Sequence, residues 1–278
     1  MGQSASLVWL NGRLVPEAEA TVSAFDHGFI VGDGVFETLR TYGGRPFAVR
    51  RHLERLARSA EGLGLERPDL LGVAAAIDAV LEAAGEPEAR VRITVTSGPG
   101  PLGSARGTSG SNVMVAAAPL DELPETAAVV TVPWLRNEQG ALTGLKTTSY
   151  AENAVALARA HHLGADEAVF ANTRGELCEG TGTNVAVAVG GRLVTPPLSS
   201  GCLAGVTRAL LLEVADVVEA PLPLAALAEA DEAVLLSSTR AVQAIATVDG
   251  RRLPLAPGPL TQRAAQAFAD LVAKGLDP

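Results

Sequence analysis

Cysteine is scarce, lysine equally so, and no long apolar run is present. Two cysteines, Cys178 and Cys202, cannot build a disulfide framework. They fit a reducing compartment, the cytoplasm, and read as small buried packing residues. No uninterrupted apolar stretch reaches the ~18 residues of a spanning helix, because Asp, Glu and Pro break the Ala/Leu-rich segments. No apolar run follows a basic N-terminal region, so no signal peptide is expected. Positive charge is in deficit: 22 basic residues against 31 acidic ones leave a net charge of −9. Such a balance argues against wholesale binding to nucleic acid or to an anionic membrane. An internal repeat is also missing.

Of the 22 basic residues only two are lysines, Lys146 and Lys274; the rest are arginine. Codon bias toward arginine would thin the lysines without explaining why these two remain. Lys274, four residues from the end, reads as a solvated helix-end charge. Lys146 lies in Gly144-Leu145-Lys146-Thr147-Thr148-Ser149-Tyr150, a hydroxyl-rich turn that leads into a helix. An amine sheds its proton and condenses with a carbonyl once desolvated, which a guanidinium cannot do. Lys146 is therefore a candidate Schiff-base lysine, the alternative being an ordinary structural lysine.

The remaining composition, 47% apolar and 19% charged over 278 residues, is that of a globular chain of one large or two modest domains. Asn11-Gly12 between Leu7-Val8-Trp9-Leu10 and Arg13-Leu14-Val15 signals a hairpin. A glycine-punctuated loop, 24–34, runs into a strand, 35–42, whose period-two alternation puts Phe36, Thr38 and Arg40 on one face. Helices are expected over 50–63 and 69–84, with Leu53, Leu56, Ala60 and Leu63 as the apolar stripe of the first and Arg55 at its border. Strands at 90–96 and 112–118 flank a long Gly/Pro/Ser loop, 97–111, of the kind that serves as a lid or binding loop. The stretch 119–126 reads as a linker between a first domain, 1–118, and a second, 127–278.

In the second domain strands are expected at 127–132, 167–171, 183–189, 192–195, 233–236 and 242–248. Helices are expected at 150–162, 206–214 and 260–274. The elements mix without regular βαβ alternation, which points to an α+β fold. His27 reads as a buried loop anchor and His161 and His162 as a solvated helix end, with no metal spacing to the cysteines. Trp9 and Trp134 are expected in the core.

Three features of the second half fit around Lys146. Glu179 opens Glu179-Gly180-Thr181-Gly182-Thr183-Asn184, small and hydroxyl-rich, which suits a ligand edge or a plain polar turn. Leu203-Ala204-Gly205-Val206-Thr207-Arg208 starts a helix whose free N–H groups suit a phosphate or serve only as a cap. Ser237-Ser238-Thr239-Arg240 adds hydroxyl donors after an apolar strand. An amine, a carboxylate and a phosphate cradle are the three contacts that pyridoxal 5'-phosphate (PLP) requires, the carboxylate keeping the pyridine nitrogen protonated.

The order of these motifs resembles the signature of class IV aminotransferases, the fold type IV PLP enzymes. Phe29-Ile30-Val31-Gly32-Asp33-Gly34-Val35-Phe36-Glu37-Thr38-Leu39-Arg40 and His52-Leu53-Glu54-Arg55-Leu56 are similar to further family segments, so the resemblance spans nearly the whole chain. It implies a small N-terminal α/β two-layer domain, a larger C-terminal α/β pseudo-barrel, and a homodimer with sites between the domains and a loop lent by the partner. It implies Lys146 as the Schiff-base lysine and acid/base, and Glu179 on the pyridine nitrogen. Arg55, Val206, Thr207 and Thr239 would hold the phosphate, with Leu203 on the ring and Phe36 toward the substrate. Thr38 and Arg40 are further substrate-side candidates.

Subgroup markers conflict. Branched-chain enzymes carry a tyrosine five residues after the lysine, where this chain has Ala151. D-amino acid enzymes trap the substrate carboxylate with an Arg-x-His pair in the long loop; here that loop has no histidine and its arginine, Arg106, comes late. Lyases usually have an arginine early in the loop, also missing, yet Thr38 resembles the lyase subgroup. The leading expectation is a transaminase moving an amino group from a D-amino acid, with R-amines as a further donor class, to a 2-oxo acid such as 2-oxoglutarate or pyruvate. The alternatives are 4-amino-4-deoxychorismate lyase, then a branched-chain L-aminotransferase, and from another class a cofactor-free binding protein on the same fold.

Overall fold

The computed structural model describes residues 7–278; residues 1–6 of the first expected domain lie outside the described residues. The chain forms two compact units. One holds the chain through Asp121 together with Leu145–Tyr150 and Leu276–Pro278; the other holds Glu122–Gly144 and Ala151–Gly275. The segment carrying Lys146 thus belongs with the first unit, although it lies beyond residue 127.

The first unit contains β1 (Leu7–Leu10), β2 (Arg13–Pro16), α1 (His27–Ile30), β3 (Gly34–Tyr42), β4 (Arg45–Pro46), α2 (Val49–Leu63), α3 (Leu70–Ala84), β5 (Ala89–Thr96) and β6 (Asn112–Pro119). Its six strands form one antiparallel sheet in the order β2-β1-β6-β5-β3-β4. One face packs on α2 and α3: Val35 and Leu39 of β3 and Val91, Ile93 and Val95 of β5 meet Leu53, Leu56, Ala60, Val73, Ile77 and Val80. Each helix stops where the sequence allows it. α3 is capped by Asp69, whose carboxylate accepts from the Leu71 N–H, and α2 ends at Gly64 in the left-handed region, φ 75°. Trp9 packs against this core, half-buried.

Residues 145–150 join this unit through backbone bonds. Phe36 N–H donates to the Lys146 carbonyl at 3.0 Å, and Thr148 N–H donates to the Gly34 carbonyl at 2.8 Å. Lys146 N–H in turn donates to Ser59 Oγ of α2 at 3.1 Å. Gly62 makes room for this crossing, since a Cβ there would lie 2.6 Å from Leu145 Cδ2. The long loop 97–111 is fastened as well. Arg106 donates to both oxygens of Asp33 at 2.7 Å and to the Leu63 and Gly64 carbonyls that end α2. His27 is fully buried and donates from Nε2 to the Pro101 carbonyl at 2.7 Å, so the histidine expected as a loop anchor is one.

The second unit contains β7 (Thr126–Arg136), α4 (Ala151–His162), β8 (Glu167–Asn172), β9 (Leu177–Gly180), β10 (Asn184–Val189), β11 (Arg192–Thr195), α5 (Val206–Val214), β12 (Val217–Glu219), α6 (Ala226–Glu229), β13 (Ala233–Ser237), β14 (Ala241–Val248), β15 (Arg251–Arg252) and α7 (Pro259–Lys274). Its nine-stranded sheet runs β12-β11-β10-β13-β14-β7-β8-β9, with β15 paired to β14. Pairs are mixed: β7 is parallel to both β8 and β14, while β8–β9 and β10–β13 are antiparallel. Registers slip between Ile245 and Thr247 and between Thr131 and Leu135, irregularities that bend a strand and deepen its twist. The core holds Val129, Val169, Leu177, Val185, Val187, Leu227, Leu235, Ile245 and Val248.

Trp134 is not in the core as expected but 38% exposed. It falls in the irregular stretch of β7 between the paired residues Thr131 and Leu135, where no ladder partner fixes an inward face. His161 and His162 are exposed at the end of α4, and both cysteines are buried.

Candidate active site

Lys146 sits on the face of the first unit's sheet that looks away from the helices. Its Nζ lies 4.2 Å over the centre of the Phe36 ring, and the Arg92 guanidinium lies 3.5 Å over the same ring. The register explains the company. Phe36 pairs with Thr94 and Thr38 with Arg92, so the alternation that buries Val35 and Leu39 puts Phe36, Thr38, Arg92 and Thr94 together on the other face. Arg92 Nε donates to Thr94 Oγ1 at 3.3 Å, and Tyr150 meets Phe36 edge-on at 5.3 Å between centroids. Burial pushes the Arg92 guanidinium below the ordinary arginine value. Arg40, farther along β3, is committed elsewhere: it donates to Glu88 at 2.6 Å and covers the Tyr42 ring.

Behind Phe36, on the core face, lies a charged cluster. Glu37 is fully buried among Val35 and Leu39 and accepts from Arg55 Nε at 2.8 Å, from Arg55 Nη2 at 2.7 Å and from His52 Nδ1 at 2.7 Å. Burial by itself would push the Glu37 carboxyl up, but the Arg55 guanidinium and the His52 ring outweigh it and hold the carboxyl well below the carboxylate range. His52 is held below its ordinary value, chiefly by burial, with Glu37 pulling the other way. Arg55 is thus fixed by a two-point contact on one edge of its guanidinium.

The second unit carries the other candidates. Glu179 stands on β9 opposite Phe170 of β8, and its Oε2 accepts from the Leu203 N–H at 2.8 Å. Leu203 lies three residues before α5, whose first residues are Val206 and Thr207. No side chain caps that helix start, where Gly205 is the N-cap, the arrangement in which the first N–H groups and positive dipole end of a helix can receive an anion. Asn184 Nδ2 donates to the Leu203 carbonyl at 2.9 Å, and a Cβ on Gly205 would collide with Asn184 Oδ1. The structure therefore brings Glu179, Leu203, Val206 and Thr207 into one neighbourhood around Asn184. Thr239 sits in the β13–β14 turn, its Oγ1 3.5 Å from Ser237 Oγ, and α5 packs against β13. Beneath the Glu179 loop, buried Glu167 accepts from the Ala168 and Thr181 N–H groups and from the Thr181 and Thr183 hydroxyls.

Arg92, Glu37, His52 and Glu167 have places in these arrangements that the sequence alone did not assign. Glu37 carries a signal that was there to find, a carboxylate in the apolar phase of a strand. Arg92 carries none, because its partner strand and register are not visible in a single sequence.

The chain belongs to the class IV aminotransferases: the amino-transferase class IV model matches residues 34–248. A Methanocaldococcus jannaschii protein with the provisional name branched-chain-amino-acid aminotransferase is 33% identical over 96% of each chain. The bifunctional aminodeoxychorismate lyase / D-amino acid transaminase of Mycobacterium tuberculosis is 31% identical over 96% of this chain and 97% of its own. Among solved structures, the branched-chain aminotransferase of Thermoproteus uzoniensis with norvaline superposes with a TM-score of 0.89 at 30% identity, covering 97% of this chain and 95% of that one. A hypothetical aminotransferase from Mycobacterium tuberculosis in its PLP-bound form gives 0.85 at 28% identity, over 97% and 99%. The fold is the α+β fold type IV, and the protein is a PLP-dependent enzyme. No helix among the described residues is long and apolar enough to cross a membrane.

The buried cluster makes a prediction about stability. Because folding holds His52 below its unfolded value of 6.5, the unfolded chain binds a proton that the folded chain refuses as pH falls below 6.5. Stability should drop with pH there, by up to ~1.4 kcal/mol per unit, until the folded ring also titrates. His52→Gln should flatten that part of the curve relative to wild type in denaturant melts between pH 5 and 7.5. Parallel curves would show that His52 is not the group responsible.

Proposed function

We propose that the protein is a transaminase that takes the amino group of a D-amino acid and delivers it to a 2-oxo acid, working as a homodimer. The observation that carries the chemistry is Lys146: an amine held against the Phe36 ring beside a guanidinium, with its backbone bonded on both sides. The donor set suits PLP. Lys146 offers the amine, Glu179 an anionic acceptor, and the start of α5 at Val206 and Thr207 an uncapped row of donors for a phosphate. Arg55, Thr239 and Leu203 are assigned to phosphate and ring by the family motif.

PLP supplies an aldehyde carbon for exchange of amines and a protonated ring that draws electrons from the carbon beside the nitrogen. Lys146 Nζ would hold the cofactor at that carbon. The Lys146 amine would also be the base placed to take the proton of the substrate α-carbon. Glu179 favours a proton on the pyridine nitrogen by offering it a fixed anionic acceptor. Phe36 gives the reacting atoms an apolar backing, and Arg92 is the cation that meets the substrate's carboxylate from β5.

Two observations bear on the donor. Arg106, the arginine of the long loop, is spent on Asp33 and the end of α2, so a D-amino acid's carboxylate would fall to Arg92 instead. Thr38, whose match to the lyase subgroup favours the second reading, elimination of pyruvate from 4-amino-4-deoxychorismate, stands half-buried on the Phe36 face. A branched-chain L-amino acid donor is the third.

Mixing the PLP-loaded enzyme with one amino donor at a time separates them. D-alanine is expected to move the absorbance from the PLP to the pyridoxamine form. A shift with L-leucine and none with D-alanine would replace the D-donor with the branched-chain one. No shift with either, together with release of 4-aminobenzoate from aminodeoxychorismate, would establish the lyase. Arg92→Gln is expected to raise KM for 2-oxoglutarate about tenfold or more, the scale of one lost charged hydrogen bond, with kcat changed less. An unchanged KM would remove Arg92 from substrate binding.

A further inference from the structure

Glu179 is flanked on two sides. Leu203 N–H donates to Oε2, and on the other side Arg136, the last residue of β7, stands with Nε 3.4 Å from Oε1. Both side chains are only 15% exposed. The Arg136 guanidinium lies 4.1 Å over the ring of Phe170, the β8 residue opposite Glu179. Its Nη1 donates to Glu152 of α4 at 2.7 Å. An aromatic face below and a carboxylate at the far end fix the plane of the guanidinium. Its Nε–H is buried without a hydrogen-bond acceptor of good geometry, so its charge faces Glu179 without consuming a full hydrogen bond.

We propose that Arg136 is the positioning residue of Glu179, keeping that carboxylate ionised and fixed in orientation for the pyridinium N–H of the cofactor. The inference rests on the assignment of Glu179 made above. An opposite charge within about 4–6 Å favours the ionised carboxylate, and partial burial opposes it. Cys178 on its own strand and Cys202 in the loop before α5 are ionisable groups that also feel Glu179. Burial pushes both thiols up, so they stay neutral and compensate nothing. Glu152 touches the far end of Arg136. The geometry also shows why the arginine need not displace the cofactor. Oε1 faces Arg136 and Oε2 faces Leu203, and each carboxylate oxygen accepts in two directions.

The test titrates the apo-protein with PLP, following absorbance and tryptophan fluorescence from pH 5 to 9, for wild type, Arg136→Met and Arg136→Lys, with melting temperatures in parallel. Ionisation of Glu179 sets the acid limb of binding. Losing the cation raises the pH at which the carboxylate protonates, so the limb in Arg136→Met should move up by about one unit, with binding about tenfold weaker near pH 6. Arg136→Lys should restore the limb, since it keeps the charge. A role in packing alone moves the melting temperature and not the limb. An unmoved limb in Arg136→Met, or a shift in Arg136→Lys as large as in Arg136→Met, would overturn the proposal. If Arg136→Met does not fold, Arg136→Gln takes its place on the same criteria. A wild type that takes up no PLP would bring down the assignment of Glu179 and this inference with it, whereas an unmoved limb in Arg136→Met, beside a wild type that binds PLP, would overturn this inference and leave the assignment standing.

Discussion

The backbone on both sides of Lys146 is the constraint on which the rest of the structure depends. A lysine side chain has four rotatable carbons, and an amine on a loose loop would spread over a volume far larger than a reacting carbon. Here the main chain on either side is bonded to β3, through Phe36 and Gly34, and to α2 through Ser59. These bonds place residues 145–150 with a unit whose other residues come almost wholly from the first 121 positions. Bare glycines serve the same end. Gly62 lets Leu145 approach α2, and at Gly34 a Cβ would crowd the Val95 carbonyl at 2.7 Å and Thr148 Oγ1 at 2.9 Å.

Charge is handled alike in both units: a carboxylate is paired with a guanidinium where water is scarce. Glu37 ties Arg55 and His52 together in the core of the first unit, and Glu179 stands against Arg136 in the second. Such pairs add little stability over apolar residues of the same volume, and breaking one partner away is costly. What they gain is orientation, and a PLP enzyme needs donors and acceptors fixed before its substrate arrives. The preference for arginine over lysine follows the same logic, since a planar fork holds a carboxylate in a defined plane and an ammonium does not.

How much of this was legible in the sequence differs by level. Most strands and helices were, because period-two and period-3.6 patterns are strong here, but β9, which carries Glu179, was not. The α+β class followed from the irregular order of elements. Scarcity singled out Lys146, and motif singled out Glu179, Val206 and Thr207, of which the structure sets Glu179 against the loop that opens the helix of the other two. What a single chain cannot show is which strands pair. Arg92 reaches Phe36 only because β5 pairs with β3 in one register, and Arg136 reaches Glu179 only because β7 neighbours β8 and β8 neighbours β9. Both are long-range facts about a sheet, written in no local pattern. Arg55 shows the converse limit: its helix position was clear, and its bond to Glu37 was not, because which helix residue meets a given strand residue is set by packing and by no local pattern.

The scarcity of lysine allows a direct measurement of the central claim. Borohydride reduction of the PLP-loaded protein, followed by proteolysis and mass spectrometry, fixes the cofactor covalently to whichever amine holds it. The account predicts a single modified peptide carrying the group on Lys146. Modification of Lys274 instead, or of neither lysine in protein shown to contain PLP, would contradict it.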